Sequence, residues 1–165
     1  MKTLVLFGFK GSGKTYWGKK LAQELQCPFL DTDRLLEARH AERYGQECTC
    51  REIYKMVGEK RFRELEGLVL ATIEKKTPCI IALGGGTILC KKNRALLQKM
   101  GTLVYLKAAK ETLKKRAPPF YVGASFEDVY NQRLPVFEEI VAHRVEVEGS
   151  EGDVLSQLKE LAHGK

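Results

Sequence analysis

The stretch Gly8-Phe9-Lys10-Gly11-Ser12-Gly13-Lys14-Thr15 decides how the rest of the chain is read. It has the form G-x-x-x-x-G-K-[ST], that of a phosphate-binding loop. Its flanks are the ones such a loop needs. The apolar run Thr3-Leu4-Val5-Leu6-Phe7 before it reads as a buried strand. Tyr16 to Leu25 after it reads as a helix whose inner face carries Trp17, Leu21 and Leu25. Glycines let the backbone close into a cup of inward-pointing N–H groups, and the helix N-terminus adds partial positive charge there. Gly11, Ser12 and Gly13 belong to that cup, Lys14 reaches the β- and γ-phosphates of a nucleoside triphosphate, and the Thr15 hydroxyl suits Mg²⁺.

The chain has 165 residues, which fits one domain with a sizeable core. Its net charge is +7, from 28 Lys and Arg against 21 Asp and Glu, but the basic residues are scattered and form no arginine-rich tail. An enzyme with two anionic substrates gains from the same field, so no nucleic-acid partner is expected. The five cysteines are odd in number, and the Cys48-x-Cys50 pair has no matching histidines. Reduced thiols in a cytoplasmic protein are expected rather than disulfides or zinc. The apolar stretch at 4–9 is too short to span a bilayer, so no membrane association is expected.

Apolar runs alternate with helical patterns, the signature of an α/β domain with a mainly parallel sheet. Strands are expected near 3–7, 28–31, 79–83, 102–106 and 144–147, with the third, Cys79 to Leu83, apolar on both faces and therefore central. Ligands in such sheets sit at the carboxyl ends of the strands. There, after the second strand, stand Asp31 and Asp33, suited to metal handling and to positioning a hydroxyl, with helix capping sufficient to explain one of them. A helix is expected over 34–44. Thr49-Cys50-Arg51-Glu52 has the form of a capping box for a short helix that stops near Gly58, and a longer helix follows from Glu59 to about Lys76. On that helix Glu59, Arg63 and Glu66 share a face, either as a solvated ion-pair stripe or as acids that fix the Arg63 guanidinium for a ligand carboxylate. Gly84-Gly85-Gly86 leaves bare backbone at the end of the third strand. Ala117-Pro118-Pro119-Phe120 and Gly123 make 117–125 a candidate lid, and Pro135 is expected to kink or restart the helix around it.

Taken in order, these motifs resemble the shikimate kinases, within the nucleoside-monophosphate-kinase-like P-loop proteins. The resemblance rests on the loop at 8–15, Asp31-x-Asp33, Gly58-Glu59-x-x-Phe62-Arg63-x-x-Glu66, Gly84-Gly85-Gly86, Leu113-x-x-Arg116 and Arg133-x-Pro135-x-Phe137. It implies a three-layer α/β fold with a five-stranded parallel sheet of order 2-3-1-4-5, a single kinase domain with a substrate-binding segment at about 32–62, and phosphorylation of the 3-hydroxyl of shikimate by ATP. It further implies that Lys14 and the amides of Gly11, Ser12 and Gly13 hold the phosphates, that Thr15 and Asp31 serve Mg²⁺, and that Asp33 contacts the acceptor hydroxyls. Arg63 and Arg133 would clamp the carboxylate, the backbone of Gly84, Gly85 and Gly86 would line the ring, and Arg116 would lie against the adenine. A monomer is expected.

One departure stands out. The family's lid carries R-P-L-L, whose Arg reaches the γ-phosphate, whereas the aligned residues here are Ala117-Pro118-Pro119-Phe120. Arg116, Lys114 or Lys115 would have to substitute. The rival readings are a kinase for another small hydroxy acid such as gluconate, and a catalytically weak or silent nucleotide-binding relative.

Overall fold

The computed structural model describes residues 1–73, 77–117 and 123–164. Five strands form one parallel sheet: β1 (Leu4–Phe7), β2 (Phe29–Asp31), β3 (Ile80–Ala82), β4 (Thr102–Lys107) and β5 (His143–Glu146), in the order β2-β3-β1-β4-β5. Each expected strand is present within two residues of its expected bounds. The most continuously apolar strands are the inner ones, β1, β3 and β4, which are covered on both faces.

The period-two alternation of β1 shows where the two helical layers lie. Leu4 and Leu6 face one cluster with Trp17 and Leu21 of α1 (Lys14–Leu25) and Val154 and Leu158 of α7 (Glu151–His163). Val5 and Phe7 face the other, with Leu70 of α3 (Cys50–Thr72), Leu97 of α4 (Lys91–Met100), Leu113 of α5 (Lys110–Arg116) and Phe137 of α6 (Phe126–Ile140). A third small cluster of Leu36, Ile53, Phe62 and Val69 joins α2 (Thr32–Tyr44) to α3. The segment 32–62, expected to bind substrate, folds as α2, its connection and the first part of α3.

The capping box at Thr49 is formed, with Glu52 N donating to Thr49 Oγ1 at 3.3 Å and Thr49 N donating to Glu52 at 2.7 Å. Gly58, at φ 79° and ψ 170°, breaks the helical backbone of α3 between its two halves, as the sequence suggests. The longer half ends at Thr72; the expectation that it reaches Lys76 falls on 74–76, outside the described residues. Pro135 neither ends nor restarts α6, which runs on to Ile140. Its missing N–H is offset by anchoring: Phe137 is fully buried and meets Phe7 and Phe9 edge-on at 5.6 and 4.8 Å. Most of the candidate lid, 118–122, lies outside the described residues.

Candidate active site

The phosphate loop follows β1 directly and ends in α1, whose N-cap Gly13 sits at φ 87°, in the left-handed region that costs a side chain. Four other helices begin with a side-chain cap (Asp31, Thr49, Ser125 and Ser150), but α1 has none and no acid in its first turn. Its first N–H groups and the positive end of its dipole are therefore committed to no cap side chain and no acid of its first turn. Lys14 is buried and donates to the carbonyls of Gly8 and Phe9 at 3.0 and 2.8 Å, which holds its ammonium inside the loop. Burial lowers its pKa to about 8, with the carboxylates of Asp33 and Asp31 pulling it up and the charges of Arg133 and Lys10 pulling it down. Ser12 is fully buried in the loop. Arg116 lies against the loop's outer side, its Nη1 donating to Gly11 O at 3.0 Å.

At the carboxyl end of β2 the two aspartates divide their tasks. Asp31 caps α2, accepting from the backbone N–H groups of Asp33 and Arg34 at 3.0 and 3.3 Å, and its other oxygen accepts from Thr15 Oγ1 at 3.1 Å. A hydroxyl and a carboxylate meet there at the edge of the loop, and such oxygens suit a hard divalent cation. Asp33 caps nothing. It faces a cavity of about 370 Å³, and burial, followed by the negative charge of Asp31, raises its pKa against the pull of Lys14.

That cavity brings together residues from four separate elements. Asp33, Arg63, Gly84, Gly85, Gly86 and Arg133 all line it, with Tyr54, Phe62 and Leu89 as apolar wall and Lys10 at the loop side. The three glycines each lie against a different functional group. A Cβ on Gly84 would collide with the Asp33 carboxylate, one on Gly86 would collide with the Arg63 guanidinium, and one on Gly85 would stand 3.2 Å from Arg133 Nη1. Side chains here would displace the very groups the cavity presents. Thr32, at the start of α2, accepts from Gly84 N at 3.1 Å and so fixes the run against the helix that carries Asp33.

Arg63 is held rigidly. Its Nη1 donates to Glu66 Oε2 at 2.7 Å, and Glu66 Oε1 accepts from Thr87 Oγ1 at 2.6 Å. Glu66 is 3% exposed, so the pair is a buried brace rather than the solvated stripe that helical spacing alone allows. Glu59 does not share in it as the i, i+4 spacing suggests; it is exposed at the rim, just past the break at Gly58. The sequence pattern pointed at Glu66, whereas Thr87, Thr32 and Lys10 carried no signal of their own. Of the lysines and arginine considered as lid substitutes, Lys114 pairs with Glu127 at 3.5 Å and Arg116 rests on the loop.

A parallel sheet of this order with a phosphate loop after its central strand, facing a cavity with an aspartate and two arginines, defines a P-loop kinase of small molecules. Comparison with known proteins narrows the class. A model of the shikimate kinase family matches residues 10–162, and the chain belongs to that family. The shikimate kinase of Neisseria meningitidis serogroup C is 33% identical over 168 residues, covering 96% of this chain and 95% of that one. That of Cereibacter sphaeroides is 41% identical over 115 residues, 70% of this chain and 55% of its own length. Among solved structures, shikimate kinase from Acinetobacter baumannii in complex with shikimate superposes with a TM-score of 0.82 at 26% identity, covering 99% of this chain and 94% of that one. Among the described residues no helix is long and apolar enough to cross a membrane.

Proposed function

We propose that this kinase transfers the γ-phosphoryl group of ATP to the 3-hydroxyl of shikimate, as a cytoplasmic monomer whose site is built from one chain. The observation that carries the reading is the single cavity into which Asp33, Arg63 and Arg133 converge beside the phosphate loop. A small acid bound there has its carboxylate between two guanidinium groups and its hydroxyl at Asp33. Two arginines suit a carboxylate because each offers a planar fork of donors. An analogue without the carboxylate leaves those charges unpaired, so selection is sharp.

In this reading the amides of Gly11, Ser12 and Gly13, together with Lys14, hold the β- and γ-phosphates, and Arg116 borders the adenine. The raised pKa of Asp33 gives it basicity to accept the proton as the hydroxyl attacks phosphorus in line. Thr15 and Asp31 would supply protein oxygens to a bound Mg²⁺, which would neutralise charge on the phosphates. Most of the remaining work is alignment, because phosphoryl transfer needs positioning and charge neutralisation more than covalent help. A coupled assay of ADP release with ATP and Mg²⁺, run with and without shikimate, tests the assignment. Shikimate-dependent release is expected; release indifferent to shikimate, or induced by gluconate instead, overturns it.

A further inference from the structure

Lys10 occupies the second variable position of the phosphate loop, and it lines the acceptor cavity together with Asp33 and Arg133. Its backbone N and Cβ lie 3.6 and 4.0 Å from where a Cβ on Gly85 would stand, the same point that Arg133 Nη1 approaches to 3.2 Å. Lys10 and Arg133 therefore flank one stretch of bare backbone. Both are also close enough to depress the pKa of the Lys14 ammonium by their positive charge. Lys10, Asp33 and Arg133 thus line one cavity beside the loop that holds Lys14, and in the proposed reaction the phosphoryl group passes from that loop to the Asp33 end of the cavity.

We propose that Lys10 is a further catalytic residue, whose ammonium contacts the phosphoryl group in flight from the acceptor side while Lys14 holds it from the nucleotide side. The inference rests on the reading of the cavity as the shikimate site. In the transfer, the acceptor oxygen forms a bond to the γ-phosphorus, the bond from that phosphorus to the bridging oxygen of ADP breaks, and the hydroxyl proton passes to Asp33. Charge spreads over the equatorial oxygens of the moving group during this exchange. Arg63 is braced by Glu66 at the far side of the cavity, and Lys114 pairs with Glu127, so neither is committed to those oxygens. Lys10 is exposed and on the loop itself, so its reach needs no rearrangement of the fold.

The test compares wild type, K10M and K10R in steady-state kinetics and in binding of shikimate and of shikimate 3-phosphate. Removal of the charge in K10M is expected to lower kcat by about ten- to a hundredfold, the worth of a charge-assisted contact. The KM for shikimate should change less than about twofold, K10R should retain most of kcat, and K10M should bind shikimate 3-phosphate more weakly while binding shikimate as before. An unchanged kcat in K10M overturns the proposal. So does a loss that falls wholly on the KM for shikimate, which makes Lys10 a carboxylate ligand. A wild-type enzyme that does not respond to shikimate is a different result: it removes the acceptor assignment and this inference with it, whereas a responsive wild type matched by K10M removes the inference alone. Because Lys10 is exposed, thermal melting of K10M should match wild type, which separates a catalytic loss from a folding one.

Discussion

The two halves of the site are built in opposite ways. The nucleotide half is one contiguous loop, and its working groups are mostly backbone N–H groups posed by glycine and by an uncapped helix start. The acceptor half has no contiguous core: Asp33 comes from α2, Arg63 from α3, Gly84–Gly86 from the turn after β3 and Arg133 from α6, and its working groups are side chains. Backbone cups bind what every nucleotide shares, whereas a constellation of side chains can be exchanged one at a time to change the acceptor. Point mutations should therefore separate the halves, harming acceptor chemistry while ATP binding survives.

The largest expected effect is at Asp33. Asp33→Asn keeps the shape but removes the base, and kcat should fall by about 10²–10⁴-fold with ATP affinity little changed. The pH profile sharpens this. Asp33 acts deprotonated, so kcat/KM rises with pH through its pKa, which burial and Asp31 raise above the ordinary carboxylate range. Lys14 acts protonated, so activity declines as pH passes about 8. In D33N the acidic limb should vanish, and the alkaline limb should move to lower pH, because Asp33 is the strongest influence holding the Lys14 pKa up. A D33N profile identical in shape to wild type would show that neither limb belongs to these groups.

Next in size is Gly84→Ala. Its new Cβ would collide with the Asp33 carboxylate and stand 3.1 Å from Thr87 Oγ1. Displacing a reacting group by about 1 Å costs on the order of 10²-fold in turnover. Kinetics together with ATP titration checks it: kcat should fall while nucleotide affinity holds. Equal loss of both would mean that the glycine run supports the phosphate loop rather than the acceptor site.

This contrast also explains what could be read without the structure. The strands and the nucleotide loop were legible because each depends on short-range patterns (apolar runs, a contiguous motif, the capping box at Thr49), whereas the strand order came only from the resemblance of the ordered motifs to a family. Either Asp31 or Asp33 was legible as a cap; Asp31 takes that role, and its other oxygen accepts from Thr15. The continuity of α6 through Pro135 was not legible, because the packing of Phe137 on the far side of the sheet outweighs a local breaker. The relation of Gly84, Gly85 and Gly86 to Asp33, Arg133 and Arg63 is a tertiary fact that no spacing encodes. The same holds for Glu66 and Thr87, which are 21 residues apart and meet only when the turn after β3 reaches α3. Glu59 and Glu66 look equivalent in the sequence; burial distinguishes them.

Arg63→Ala should weaken shikimate binding by about ten- to a hundredfold, the equivalent of ~1.5–3 kcal/mol for a charge-assisted hydrogen bond, with ATP affinity unaffected. Isothermal titration with each substrate reads both. Equal losses for the two substrates would remove Arg63 from the acceptor half. Because the variant also leaves the buried Glu66 carboxylate without its guanidinium, R63A should melt at a lower temperature than wild type.

The smallest effect, and the most telling about how the acceptor half is held, is expected at Glu66. Glu66 touches Arg63 and Thr87 and acts on the acceptor only through the guanidinium it fixes. A glutamine can still accept from Arg63 with its amide oxygen while its NH₂ group donates to Thr87, so the brace keeps its geometry and loses its charge. The KM for shikimate should then rise by about fivefold, the difference of roughly 1 kcal/mol between a charged and a neutral hydrogen bond, with kcat preserved. The double variant R63A/E66Q separates bracing from binding. If Glu66 works through Arg63, E66Q adds nothing to the shikimate KM once Arg63 is gone, and it restores part of the thermal stability that R63A loses, because the uncompensated buried carboxylate has been neutralised. Additive losses in KM would instead place Glu66 in direct contact with the acceptor, and the acceptor half would then hold its ligand with an acid as well as with two arginines.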